Sequence, residues 1–466
     1  MTSNRRTFFR GMAGGLGAAA LVDLEGAGIA GNSIPKTIPK AKRVIFLFQH
    51  GGPSQMETFD HKPFLETVHG SEMPRSVIGD QRLTGMTAGQ LAFPVMASPW
   101  KFQAHGQSGI EVSSLLPHTA RVVDELCVIR SMNTPQIDHD AAATFMQSCL
   151  QFPGRPSAGA WVSYGLGSEN RDLPAYVVMV SNGKPSSIPI YDRMWGSSFL
   201  PSQHQGVRFG GAGEAVLYLN NPPGTTSASR RATLERLAEM NALAHERVGD
   251  PEILARTAQY ELAFRMQTSV PELTDVTDEP NSTFALYGDE ARVPGSYAHN
   301  CLLARRLAER GVRYIQLFHR GWDAHFDIPK DMPRQCAQTD QGTAALLADL
   351  KQRGLLDETL VVWGGEFGRS TFSQGSNPSA KKFGRDHHGR CFTMWLAGGG
   401  VKPGICFGET DQWCFNIADK PVSVHDLYAT MLKLMGVDHE RLTYRFQGRD
   451  YRLTDLYGKA VSDIMA

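Results

Sequence analysis

The chain has 466 residues, 41% of them hydrophobic and 20% charged. That apolar share is enough for a large core and excludes wholesale disorder. Lys and Arg (47) balance Asp and Glu (47), so a nucleic-acid binder, which needs a basic surface, is not expected, and no run of about 18 strongly apolar residues is present to span a membrane.

The N-terminus reads as an address. Asn4-Arg5-Arg6-Thr7-Phe8-Phe9-Arg10 precedes a soft Gly/Ala-rich run from Gly11 to Val22. A charged start before a short apolar stretch is a secretory layout, and the paired arginines resemble a twin-arginine signal. The expectation is removal of residues 1–30, with cleavage near Gly28-Ile29-Ala30. Export of a folded protein by the twin-arginine machinery to the periplasm or medium follows, and it suits a protein loaded with metal beforehand.

Residues 31–466 read as one α/β domain. Arg43 to Phe48 is a continuous apolar run ending in a Gly-rich turn, as expected of a strand buried on both faces. Leu126–Arg130 and Tyr176–Val180 follow. Residues 181–300 read as an insertion of loops and helices, with a helical pattern from Ser227 to about Val270 broken at Gly249-Asp250-Pro251. A helix over about 297–310 leads to a strand at 312–318, and a helix over about 333–353 to a strand at 359–363. A strand at 392–397 and a helix over Val424–Met435 complete the pattern. Strands that alternate with helices and are apolar throughout predict a doubly wound, mostly parallel sheet with helices on both faces. No G-x-G-x-x-G or G-x-x-x-x-G-K-[ST] accompanies a strand, which argues against nucleotide folds. The seven cysteines form no C-x-x-C pair, so no thiolate zinc knuckle is indicated.

In open α/β sheets ligands bind beyond the carboxyl ends of the strands. There the chain places Gln49-His50, Asp138-His139-Asp140, His319-Arg320-Gly321-Trp322-Asp323-Ala324-His325-Phe326-Asp327 and Gly365-Glu366-Phe367-Gly368-Arg369. Gly384-Arg385-Asp386-His387-His388 adjoins the last strand. Fifteen histidines occur in the chain, and six of them fall in these segments. Imidazoles and carboxylates without thiolates suit a divalent ion, Zn or Mn, as one ion or as a pair. His50, His139, Asp323, His325, Glu366, Asp386 and His387 are the candidate ligands. Asp138, Asp140 and Asp327 are natural partners for the second nitrogen of a ligating histidine. Arg369, Arg385 and Arg390 are candidates to hold an oxyanion.

The blocks His50-Gly51-Gly52-Pro53-Ser54 with Glu57-Thr58-Phe59-Asp60, Gly321-Trp322-Asp323-Ala324-His325, Glu366-Phe367-Gly368-Arg369 and Gly384-Arg385-Asp386-His387-His388 resemble domain-of-unknown-function family 1501. That resemblance implies a sulfatase-like member of the alkaline phosphatase superfamily, with metal at the strand ends. It implies a hydrolase of phosphate or sulfate esters, acting on a small-molecule or glycan ester. Asp323 and His325 look like the superfamily's late Asp/His ligand pair. Three features depart from the pattern. Gln49-His50 stands where the first strand normally ends in a ligating Asp. The C-x-P-x-R motif that supplies formylglycine is absent. The nucleophile is open among Ser54, Thr58, Ser131 and Thr134. A non-catalytic metal- or ligand-binding protein of the same fold is the alternative.

Overall fold

The computed structural model describes residues 38–183, 188–210, 215–379 and 382–466. The expected signal at residues 1–30 lies outside them. A nine-stranded mixed sheet forms the centre. Its strands are β1 (Arg43–His50), β2 (Leu126–Asn133), β3 (Tyr176–Val180), β4 (Val207–Phe209), β5 (Tyr314–Arg320) and β6 (Thr359–Gly364), then, after the ribbon below, β9 (Phe392–Ala397), β10 (Ile405–Phe407) and β11 (Val422–Ser423). The order is β10-β2-β9-β6-β1-β5-β3-β4, with β11 also paired to β2. Only β9 runs antiparallel to its neighbours. The carboxyl ends of β1, β2, β5 and β6 therefore share one edge. A two-stranded antiparallel ribbon, β7 (Gly368–Ser379) and β8 (Lys382–His388), rises from that edge between β6 and β9.

Alternation along each strand explains why the runs are apolar throughout. Ile45 and Leu47 of β1 enter one core layer, with Ile315, Leu317 and Val361. Helices α5 (Tyr297–Glu309) and α6 (Ile328–Gln352) cover that face. Val44, Phe46 and Phe48 enter the other layer, with Tyr314, Phe318 and Val362. Helices α1 (His139–Ser148), α2 (Ala158–Leu166) and α7 (Val424–Leu434) cover it. The pair α3 (Ser227–Val248) and α4 (Pro251–Thr274) packs as a hairpin in the insertion.

Four elements differ from the sequence expectations. β5 begins at Tyr314, not 312, because the Val312 N–H returns to the Leu307 carbonyl at 3.1 Å and closes α5. α6 begins at Ile328, not 333: Asp327 caps it by accepting from Lys330 N, and Pro333 lies inside the helix. α4 runs through Pro271 to Thr274. Val207–Phe209, read as loop, pairs with β3 and extends the sheet. No helix among the described residues is long and apolar enough to cross a membrane.

Candidate metal centre

Four side chains meet at the carboxyl edge. His139 is the first residue of α1, which follows β2. Asp323 and His325 lie in the loop after β5. His387 is on β8 of the ribbon. One ligand atom from each lies within 4.8 Å of all the others. Asp323 Oδ1 is the hub, 3.1 Å from His139 Nε2, 2.9 Å from His325 Nε2 and 3.5 Å from His387 Nε2. The Nε2 atoms of His325 and His387 are 2.9 Å apart.

The second nitrogen of each imidazole is committed elsewhere. His139 Nδ1 meets Glu366 Oε1 at 2.6 Å, His325 Nδ1 meets Gln374 Oε1 at 2.6 Å, and His387 Nδ1 meets the Ile137 carbonyl at 2.7 Å. All three partners are acceptors, so each Nδ1 carries the proton and each Nε2 presents a lone pair to the centre. Inward-facing lone pairs beside a carboxylate oxygen repel one another unless a cation lies among them. With neutral imidazoles, Asp323 and Glu366 against Arg369 leave one net negative charge. The donor set therefore fits a divalent cation held by His139, Asp323, His325 and His387.

The two carboxylates and His387 shift in the direction a cation site needs, whereas His139 shifts toward its charged form. Burial alone would raise the Asp323 carboxyl, but Arg369 and the three histidines hold it well below the usual carboxylate range. Burial likewise opposes Glu366, yet His50 and His139 pull it well below its ordinary value. His387 is pushed down to about 4, first by burial, with Arg369 adding to the effect against the opposing bond to Asp323. For His139 burial lowers the value, and the bonds to Asp323 and Glu366 more than reverse it. Asp323 is the part of the cluster nearest solvent, its side chain 20% exposed.

The remaining candidates stand around this cluster in other roles. Glu366 is fully buried; besides His139 it accepts from Gly51 N at 2.9 Å, so it orients a ligand and is not among the four converging groups. His50 is buried, 3.5 Å from Glu366 Oε1, with neither ring nitrogen hydrogen-bonded. Arg369 donates to Asp323 at 2.6 Å and to the Gly51 and Gly52 carbonyls, so it fixes the hub.

Several expectations are corrected by the contacts. Asp386 faces away: its carboxylate accepts from Thr84 and Thr87, because neighbouring side chains on a strand point to opposite faces. Arg385 spends its guanidinium on Glu57 and on the carbonyls of Met96, Ser370 and Thr371, leaving no N–H for a ligand. Ser54 donates to Glu57, and Thr58 donates to the Ser54 carbonyl at 2.9 Å; both are buried, and neither hydroxyl is bonded to the cluster. Asp138 and Asp327 are helix caps, and Asp140 pairs with Arg193. The histidine partners Gln374 and the Ile137 carbonyl carry no sequence signal. Glu57 stood in the quoted block, and its pairing with Arg385 was not legible there.

Two glycines let the segments meet. Gly51 has φ +119°, and a Cβ there would lie 2.6 Å from Asp323 N. A Cβ on Gly384 would lie 1.6 Å from the His325 carbonyl oxygen. Phe367 closes one side, its ring 4.8 Å from that of His139 and 4.5 Å from that of His387.

A search of curated proteins found no match. Among solved structures the chain is similar to the alkaline phosphatase from the Antarctic bacterium TAB5, at 10% identity and TM-score 0.34, covering 86% of this chain and 99% of that one. It is similar to the PsFucS1 sulfatase from Pseudoalteromonas sp., at 12% identity and TM-score 0.33, covering 86% and 68%. An alkaline phosphatase superfamily protein from Vibrio parahaemolyticus is 10% identical, with TM-score 0.36 and coverage of 88% and 70%. The family described as "Protein of unknown function (DUF1501)" matches residues 41–465, and the chain belongs to that family.

Proposed function

We propose that this protein is an exported, metal-dependent hydrolase of phosphate or sulfate esters, built around one divalent ion, Zn or Mn. The observation that carries the reading is the convergence of three Nε2 lone pairs and Asp323 Oδ1, with every Nδ1 donated outward. When bound, the ion supplies Lewis-acid polarisation of an ester oxygen. The chain's own residues set the rest. Arg369 holds Asp323 in place, Glu366 fixes the His139 ring, and Phe367 shields the cluster on one side. Water is the attacking group in this reading, because the Ser54, Thr58 and Ser131 hydroxyls are committed to local bonds and Thr134 Oγ1 accepts from Gln136 N. That commitment also supports the second reading, a metal-binding protein without turnover.

Metal analysis of the purified protein, with a panel of aryl phosphates, phosphodiesters and sulfates under Zn and Mn, separates the two. Asp323→Asn and His387→Ala should each strip the metal while far-UV circular dichroism stays unchanged. Full metal content in both variants rejects the centre, and metal without turnover on the whole panel favours the second reading. Export is tested apart: Arg5→Lys with Arg6→Lys should hold the precursor in the cytoplasm, and an unchanged exported yield rejects it.

A further inference from the structure

On the α1, α2 and α7 face of the sheet, a cavity of about 240 Å³ lies beside the carboxyl-terminal half of α1. Thr144, Gln147, Ser148, Gly154, Arg155 and Arg193 line it, and no carboxylate is among the lining groups. We propose that this cavity is an oxyanion site, separate from the metal cluster, that takes phosphate or sulfate.

The first argument is a buried chain of hydrogen bonds with one direction. Tyr176 O–H donates to Gln316 Oε1 at 2.9 Å, and Gln316 Nε2 donates to Gln147 Oε1 at 2.7 Å. Tyr176, Gln316 and Gln147 are each at most 1% exposed. Because the Gln147 oxygen is taken by a donor, its amide nitrogen is the end left over, and it has no partner. Thr144 Oγ1 is likewise buried and unpartnered. A buried N–H left without a partner is disfavoured, so an acceptor belongs there.

The second argument is charge. Arg155 shares Asp455 with Arg449, so two guanidinium groups draw on one carboxylate. Arg193 reaches Asp140 with one terminal nitrogen, and its Nε is buried without a partner. A tetrahedral oxyanion brings acceptors to the unpartnered Gln147 and Arg193 N–H groups, and planar guanidinium forks match its edges. The volume is several times the ~30 Å³ share of one water molecule, so a single water does not fill it. Gln147 is eight residues beyond His139 on α1, about 12 Å along the helix axis, so the two sites are distinct.

Equilibrium dialysis of the full chain against labelled phosphate and labelled sulfate tests this, with a chelator present so that no anion is held through a metal and chloride holding ionic strength constant. One bound equivalent is expected. Gln147→Glu keeps the contact from Gln316 but replaces the donor by a charge, and should weaken binding at least about tenfold. Arg155→Gln and Arg193→Gln should do the same, and they carry the test if Gln147→Glu fails to melt cooperatively. The double variant His325→Ala/His387→Ala removes the metal centre and should bind the anion as the parent does. No binding by the parent, or undiminished binding in the folded cavity variants, overturns the proposal. Loss of binding in the double histidine variant also overturns it, because the anion would then sit at the metal cluster. Failure of the metal reading leaves the expected pattern unchanged, so the two are distinguishable.

Discussion

His325 and His387 bring their Nε2 atoms to 2.9 Å of one another, although their Nδ1 atoms are engaged by Gln374 and by the Ile137 carbonyl. Two lone pairs at that separation favour a cation between them. A divalent ion bound only by the native state, at 100 times its Kd, should add about 2.7 kcal/mol to the unfolding free energy. Urea titrations with and without Zn or Mn check this. Coincident midpoints would show that the cluster takes no ion.

Glu366 is expected to act through His139. In Glu366→Gln the shape is kept and the charge lost, so the ring's Nδ1 proton has a weaker acceptor. Metal affinity should fall roughly 10- to 100-fold. Competition with a chromogenic chelator measures it, and parent-like affinity would remove Glu366 from any role at the centre.

Gly384→Ala tests whether the ribbon must lie against the Asp323–His325 loop. The added methyl would meet the His325 carbonyl, so β8 has to move and carry His387 with it. Metal content should fall to that of Asp323→Asn, since a ligand displaced by more than about 0.5 Å no longer completes the set. Gly85→Ala, where a Cβ meets nothing within 4 Å, should behave as the parent.

Glu57 and Arg385 form a fully buried ion pair at 2.7 Å. Arg385→Met leaves the Glu57 charge without its partner and should destabilise by about 3–5 kcal/mol. Glu57→Leu together with Arg385→Met should be less destabilised than the two single changes combined, because the double variant leaves no lone charge. Urea unfolding of the three variants gives the coupling. A neutral Arg385→Met would contradict a structural role for this arginine.

His319 is wholly buried on β5, between Ser181 and Gln335, and burial pushes it down to about 4 despite the bond to Gln335. Between that value and its ordinary value near 6.5, the unfolded chain binds a proton that the native state does not. Stability from this group is present above pH 6.5 and is lost as pH falls through about 4, on the order of 3 kcal/mol in all. Urea midpoints at pH 7.5, 6 and 5 should decline in the parent. They should decline less in His319→Gln, and equal slopes would refute the assignment.

The sequence by itself determined the strands and the segments that carry the chemistry. Val44–Phe48 and Leu360–Trp363 are apolar at every position because both faces of the sheet are covered, and that pattern is local. His139, Asp323, His325 and Glu366 were marked as candidates because each follows such a strand, and parallel strands end on one edge. Only the tertiary structure decided between neighbours such as Asp386 and His387, because which face of β8 meets the cluster depends on how the ribbon packs against the Asp323–His325 loop. It alone decided that Arg385 has no donor to spare and Arg369 fixes the hub, since their partners lie up to 328 residues away along the chain. The acceptors that orient the imidazoles are of the same kind. The Ile137 carbonyl and the Gln374 amide gain their role from where the chain brings them, 250 and 49 residues from the rings they hold.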